Sequence, residues 1–187
     1  VRNAFLAAVL GIDLGEIVES RILPSHLRQK DKDDKLGILD VRVLLNNKEQ
    51  IDIEIQVTAS EYWAERTLFY LGKMFTDQLK PGEDYQKLEK CIHIGILNFT
   101  MFEDEEYYSC FHFWSDQGRK MYSDKVEIHT LELPKLAKYE YPETELLKWL
   151  QFINAETKEE FEMAAEKSEY IKKAYEDLNR ISADRKS

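Results

Sequence analysis

Glycine-rich loops are missing from this chain. Its seven glycines nowhere form the pattern that cradles phosphates, and none brackets Ser60, Ser109 or Ser115 as a nucleophile elbow would. A nucleotide-binding switch and an acyl-transfer enzyme are thereby disfavoured. No apolar run approaches the ~20 residues that a membrane-spanning helix needs, and no signal-peptide pattern is present. The two cysteines, Cys91 and Cys110, lie in apolar, strand-like runs, which predicts buried free thiols in a reducing, cytoplasmic compartment. The histidines, His26, His93, His112 and His129, lack short metal-ligand spacing; His93 and His112 are expected to be structural residues with satisfied hydrogen bonds. Basic residues are also in deficit, 26 Lys and Arg against 36 Asp and Glu, for a net charge of −10. Avid nucleic-acid binders usually carry a basic face that releases counterions. The acidity is spread along the chain: residues 1–142 hold 25 acids against 18 bases, and residues 143–187 hold 11 against 8. Charge alone lowers the odds of nucleic-acid chemistry without removing it.

What remains is ample for a core. With 187 residues, 43% of them hydrophobic, the chain suits one domain with a small helical appendage. Residues 2–10 read as the end of an amphipathic helix closed by Gly11. Residues 16–23 are strand-like, and the charged run from Lys30 to Lys35 reads as a solvated loop. Residues 36–45 and 50–58 are the clearest strands, separated by Asn46, Asn47 and Lys48. Thr58 and Glu61 suggest a capping box opening a helix that Pro81 and Gly82 end. Residues 91–99, 107–114 and 125–133 read as three more strands, and Glu103–Glu106 as a solvated turn between two of them. Helices are then expected over 143–153 and, as one longer element, over 157–181. The apolar stripe of that last helix is read as packing.

The order strand, strand, helix, strand predicts an α/β core whose last strand joins the sheet by a crossover. Within the first two strands, alternation puts Ile51, Ile53, Ile55 and Val57 on one face and Asp52, Glu54 and Gln56 on the other. Leu39, Val41, Val43 and Leu45 likewise oppose Ile38, Asp40, Arg42 and Leu44. A three-residue loop keeps both apolar faces together, and Asn tolerates the left-handed backbone that such a loop needs. In that register Arg42 faces Asp52, and Asp40 faces Glu54. Like charges across strands repel; a hard divalent cation between them would remove the repulsion. On spacing alone, a hairpin with one wet face is the commoner explanation.

The segments Asp34–Arg42, Ile53–Gln56, Gln78–Tyr85 and Glu127–Pro134 resemble those of the PD-(D/E)xK nucleases, and most closely the bacterial transposase-like and recombination-promoting nuclease families. The likeness spans nearly the whole chain. It implies a restriction-endonuclease-like α/β core, a mixed sheet flanked by helices, over residues 1–142, with a helical C-terminal extension over 143–187. It also implies a metal-dependent cut in DNA, linked to recombination or mobile elements. Asp40 and Glu54 would be the ligands of Mg2+ or Mn2+, completed by Gln56 and the Ile55 backbone carbonyl. Two departures stand out. Leu39 replaces the superfamily proline, which only shapes the backbone. Gln56 replaces the lysine, so the site has less positive charge near the transition state and leans harder on its metal. The chain opens at Val1 inside the family's first helix, so a preceding segment is expected.

Arg66 and Tyr70, one turn apart on the helix after Gln56, and Lys73 beyond them are candidate phosphate contacts; an ordinary exposed helix face explains them equally well. The partners expected are DNA, no membrane, and a second copy of the chain through the C-terminal helices. The alternative function is a catalytically inactive descendant of the fold that binds protein or nucleic acid.

Overall fold

The structure, a computed structural model, describes residues 1–24 and 39–186, with Leu39 and Asp40 described in their backbone only. His26, the 30–35 loop and the expected strand residues 36–38 lie outside the described residues. The chain groups into two compact units, Val18–Lys138 and Val1–Ile17 with Tyr139–Ser187.

The first unit is built on a sheet of six strands: β1 (Ser20–Leu23), β2 (Leu39–Leu45), β3 (Glu49–Gln56), β4 (Cys91–Leu97), β5 (Tyr108–Trp114) and β6 (Met121–Glu132), in the order β1-β2-β3-β4-β6-β5. The sheet is mixed. β1, β2 and β3 are antiparallel neighbours, β3–β4 and β4–β6 are parallel, and β5 returns antiparallel on β6. A parallel pair cannot be joined by a tight turn, and helix α2 (Trp63–Thr76) lies in the β3–β4 connection. Every residue of β4 is buried, as expected of a central strand with parallel neighbours, whose sequence runs apolar without alternation.

The β2–β3 hairpin forms in the expected register, with Asn46–Lys48 as its loop and Arg42 paired with Asp52. Asn46 and Asn47 both take left-handed backbone, φ 51° and 55°. The Asn46 side chain also accepts hydrogen bonds from the Val18 and Glu19 amides, 2.8 and 3.3 Å, and so ties the start of β1 to the hairpin tip. One end of α2 differs from expectation. The helix opens at Trp63 with Tyr62 as N-cap and no side-chain cap, so the Thr58–Glu61 capping box does not form. Trp63, Thr67, Leu71 and Met74 are its buried positions. They recur at helical spacing and press on the sheet, Leu71 and Met74 packing with Cys91, Val126 and Ile128. Full burial of such side chains is worth about 1.5–3 kcal/mol each.

Two further expectations need correction. Cys91 is buried but Cys110 is exposed, because β5 is an edge strand. The 103–106 turn is anchored as well as solvated. The Lys135 ammonium, from the middle of the helical turn Leu133–Ala137 that follows β6, donates to Asp104 Oδ1 and to the Glu106 carbonyl, both at 3.0 Å.

The second unit is helical: α1 (Arg2–Leu10), α3 (Glu145–Ile153), α4 (Lys158–Ala165) and α5 (Glu169–Asp184). Helix α1 ends at Gly11 in left-handed conformation, φ 67°, and packs with the C-terminal helices through Phe5 against Trp149, ring centres 5.8 Å apart. The expected 157–181 helix is broken in two. Thr157 and Glu160 form a capping box for α4, and Ser168 accepts from the Tyr170 amide to begin α5 anew. Serine offers the backbone a partner outside the helix ladder, which favours a break there. The apolar stripe then folds on itself, with Phe161 stacked on Tyr175 at 5.7 Å. Among the described residues no helix is long and apolar enough to cross a membrane.

Candidate nuclease site

The side chains of interest lie on the face of the sheet that α2 covers. Registers fix this. Asp52, Glu54 and Gln56 of β3 sit beside His93, Gly95 and Leu97 of β4, which in turn sit beside Ile128, Thr130 and Glu132 of β6. Partner positions on adjacent strands share a face, so Glu54, Gly95 and Thr130 form one row across the sheet. The Trp63 ring of α2 lies over that row. A Cβ added at Gly95 would come within 3.3 Å of both Trp63 Cζ2 and His93 Nε2. A larger residue here would need the indole or the His93 ring to give way by a few tenths of an ångström.

The face is therefore dry rather than wet. Glu54 is 1% exposed and Asp52 3%. Burying a carboxylate is costly unless charge and hydrogen bonds compensate. At Asp52 the compensation includes His93, whose Nδ1 lies 3.1 Å from Asp52 Oδ2. The Arg42 guanidinium, across the strand from Asp52, donates to Gln50 Oε1 at 2.7 Å and to the Pro24 carbonyl at 3.1 Å.

Asp40 is the Cα partner of Glu54 in the β2–β3 ladder; its side chain lies outside the described residues. Ile55 lies inside the ladder on both sides, paired with Leu39 and Ile96. The Gln56 Nε2 donates to the Thr58 carbonyl at 2.9 Å, which leaves its Oε1 as an acceptor. That Oε1, His93 Nε2 and Thr130 Oγ1 are all buried with no hydrogen-bond partner among the described residues. Buried polar atoms are nearly always paired, and unpaired ones call for an ordered water or ion. All three lie on the face that α2 covers.

On α2, Arg66 and Tyr70 are half-buried, with the guanidinium carbon 5.6 Å from the Tyr70 ring centre. Arg66 Nη2 is buried with no hydrogen-bond partner among the described residues. Lys73 is also half-buried, one turn beyond Tyr70. These three flank the buried stripe of the helix rather than standing on its exposed side.

Asp52, His93, Trp63 and Thr130 belong to this face, and the sequence did not single them out as a group. Their association depends on the parallel β3–β4–β6 registers and on the helix that covers them, none of which leaves a local spacing to read. The structural role expected of His93 holds at Nδ1, while Nε2 is left unmatched.

A mixed sheet of this order, with the strand–strand–helix–strand unit β2–β3–α2–β4 placing carboxylates beneath the crossover helix, defines the restriction-endonuclease-like α/β class. Comparison with known families narrows this: the model of the PD-(D/E)XK nuclease family transposases matches residues 2–187. The chain belongs to that family, a family of nucleases. Comparisons with curated proteins and with solved structures gave no significant match.

Proposed function

We propose that the chain is a metal-dependent DNA endonuclease in which Asp40 and Glu54 hold a magnesium or manganese ion. The observation that carries this reading is the pairing of Asp40 with Glu54 in a ladder where Glu54 is buried. Two carboxylate residues in facing positions repel, and burial makes the conflict worse. A hard divalent cation relieves both, and carboxylate and amide oxygens suit it. The donors here fit: the face offers the Glu54 carboxylate and the Gln56 Oε1, the latter buried and unmatched by protein among the described residues.

Asp40, Glu54 and the Ile55 carbonyl would be the protein's ligands. When bound, such an ion supplies Lewis-acid stabilisation of the scissile phosphodiester and lowers the pKa of the attacking water. The Gln56 amide is held by its bond to the Thr58 carbonyl, so its Oε1 can accept a hydrogen from that water and orient it. Gln56 has no charge to offer the developing phosphorane. Arg66, with an unmatched Nη2, is the residue we assign to phosphate charge, with Tyr70 and Lys73 beside it on α2.

Supercoiled-plasmid nicking, in chelator and then with Mg2+ or Mn2+ restored, tests the reading. Nicking is expected only with metal, and a drop of at least about 100-fold, the loss of a few kcal/mol of transition-state stabilisation, in Asp40→Ala and in Glu54→Gln. Far-UV spectra of both variants should match wild type. A wild-type chain that binds but never nicks with either ion is the non-catalytic module instead.

A further inference from the structure

The opposite face of the same sheet carries a second group of metal-ligating side chains. Glu127 and His129 of β6 alternate with Ile128 and Thr130, so they point away from the Glu54 row, and Cys110 of β5 is the register partner of His129. Their ligand atoms all lie within 4.8 Å of one another. Glu127 Oε1 is 3.3 Å from His129 Nε2 and 3.6 Å from Cys110 Sγ, and the two latter atoms are 3.9 Å apart.

These separations bear on two readings, a hydrogen-bonded cluster and a metal site. As a hydrogen bond, 3.3 Å is long, since N–H···O bonds cluster near ~2.9–3.0 Å. As edges of a metal tetrahedron the 3.3 and 3.6 Å separations fit, and the 3.9 Å edge between Cys110 Sγ and His129 Nε2 needs to close by about 0.3 Å. With zinc bonds of ~2.0–2.1 Å to nitrogen or oxygen and ~2.3 Å to sulfur, tetrahedral angles give edges of ~3.3 Å for N···O and ~3.6 Å for S···N and S···O. The surroundings also suit ligation. His129 is 1% exposed, and its Nδ1 lies 2.8 Å from the Tyr108 hydroxyl, which fixes the ring and leaves Nε2 for a metal. A ligating histidine is usually held through its other nitrogen in this way. The second Glu127 oxygen, Oε2, faces the Lys90 ammonium at 3.7 Å, so Oε1 is the oxygen left for an ion. His112 Nε2 lies 3.3 Å from that same Oε1, beside the fourth position.

We infer that Cys110, Glu127 and His129 form a zinc-binding site that clips the edge strand β5 to β6, with water next to His112 as the fourth ligand. The class of ion follows from the donors. One thiolate, one imidazole and one carboxylate favour a borderline-soft, tetrahedral cation over Mg2+, which takes oxygen ligands. On binding, the Cys110 S–H proton is released to solvent and its sulfur takes the metal. The site is independent of the nuclease reading: it stands on the other face and shares no residue with it.

The test uses the full chain, reduced and stripped of metal, titrated with Co2+ and then with Zn2+ against a chromophoric chelator. Wild type should bind one equivalent that carries a thiolate-to-cobalt charge-transfer band in the near ultraviolet, counted apart from any ion held without that band at Asp40 and Glu54. Cys110→Ser, at an exposed position where folding is not at stake, should abolish that band and weaken zinc binding at least about 100-fold. His129→Ala should do the same, and Tyr108→Phe should weaken binding by about 10–100-fold. Glu54→Gln should leave band and affinity unchanged. Wild-type zinc binding no tighter than about 1 mM overturns the inference. So does binding that survives in Cys110→Ser, or binding that is lost in Glu54→Gln.

Discussion

Replacing Lys135 with methionine should destabilise the chain by about 3–5 kcal/mol, the cost of stranding one member of a buried ion pair. Lys135 is 2% exposed and Glu132 is fully buried. The ammonium donates at 3.0 Å to Glu132 Oε2, to Asp104 Oδ1 and to the Glu106 carbonyl. The other Glu132 oxygen accepts from the Met101 and Phe102 amides at 2.6 and 2.9 Å. Methionine keeps the stem volume, so little of the loss comes from packing. Asp104 is more than half exposed, and water can replace its share; the penalty comes from Glu132 Oε2, which water cannot reach. Neutralising the stranded charge in the double variant Lys135→Met/Glu132→Gln should recover most of the loss, because the amide still accepts from both backbone N–H groups. Urea unfolding at neutral pH reads the effect. For a slope of about 2 kcal/mol/M, the single variant's midpoint should fall by roughly 1.5–2.5 M, and the double's by well under half of that. Burial alone would depress the Lys135 pKa, but the bonds to Asp104 and Glu132 and their charges more than reverse it and raise it. A raised lysine pKa stabilises the fold below the lysine's ordinary range, and that contribution is lost only as pH climbs through the folded value. The penalty should therefore be full at pH 7 and shrink in strong alkali. A single variant within about 0.5 kcal/mol of wild type, the range of ordinary surface changes, would refute the argument, as would a double variant no better than the single.

Gly95→Ala forces a methyl to within 3.3 Å of Trp63 and His93; a loss of about 1–3 kcal/mol by urea melts is expected for such overpacking, with an altered tryptophan emission, and unchanged stability would show that the indole yields freely. Gln56→Lys should preserve or raise Mg2+-dependent nicking, since it adds charge beside the developing phosphorane; abolished nicking would show that the amide does something lysine cannot. Arg66→Ala should weaken DNA binding and flatten its logarithmic salt dependence by about one unit, measured by fluorescence anisotropy across a salt series, and an unaltered slope would return Arg66 to a packing role against Tyr70.

What could be read in advance follows the range of the interactions. The hairpin register, including Asp40 across from Glu54, comes from side-chain alternation and a three-residue loop, both local. The Asn46 and Asn47 backbone angles agree with it. The burial of that hairpin's polar face was not legible. Read by itself, the Asp52–Glu54–Gln56 face looks wet, and it becomes dry only because β4 and α2 arrive from elsewhere in the chain. The same holds for Asp52 with His93 and for Cys110 with His129, pairs brought together by strand registers rather than by spacing. The break in the last helix is a different kind of miss. Thr157 with Glu160 and the lone Ser168 are local cap signals, overshadowed by an apolar stripe that continues in phase on either side of the break.

One sheet here separates two kinds of donor by the two-residue period of its strands. Glu54 and Thr130 fall beneath α2, while Glu127 and His129, an odd number of positions before Thr130 on the same strand, fall on the reverse. A single-residue slip of β6 against β4 would exchange the faces, so the wholly buried run of β4 does more than fill a core: it holds the register on which both groups depend. Gly95, by lacking a side chain, leaves the space into which Trp63 and His93 approach the sheet. The chain's acidity then has a mechanical consequence. A protein at net charge −10 repels a polyanion, and at physiological salt that repulsion is felt within ~8 Å and screened beyond it. Under the proposed function, attraction would be generated inside that distance, by an ion at Asp40 and Glu54 and by Arg66 on α2. The metal proposed to activate the water would then also be a large part of what lets the DNA approach.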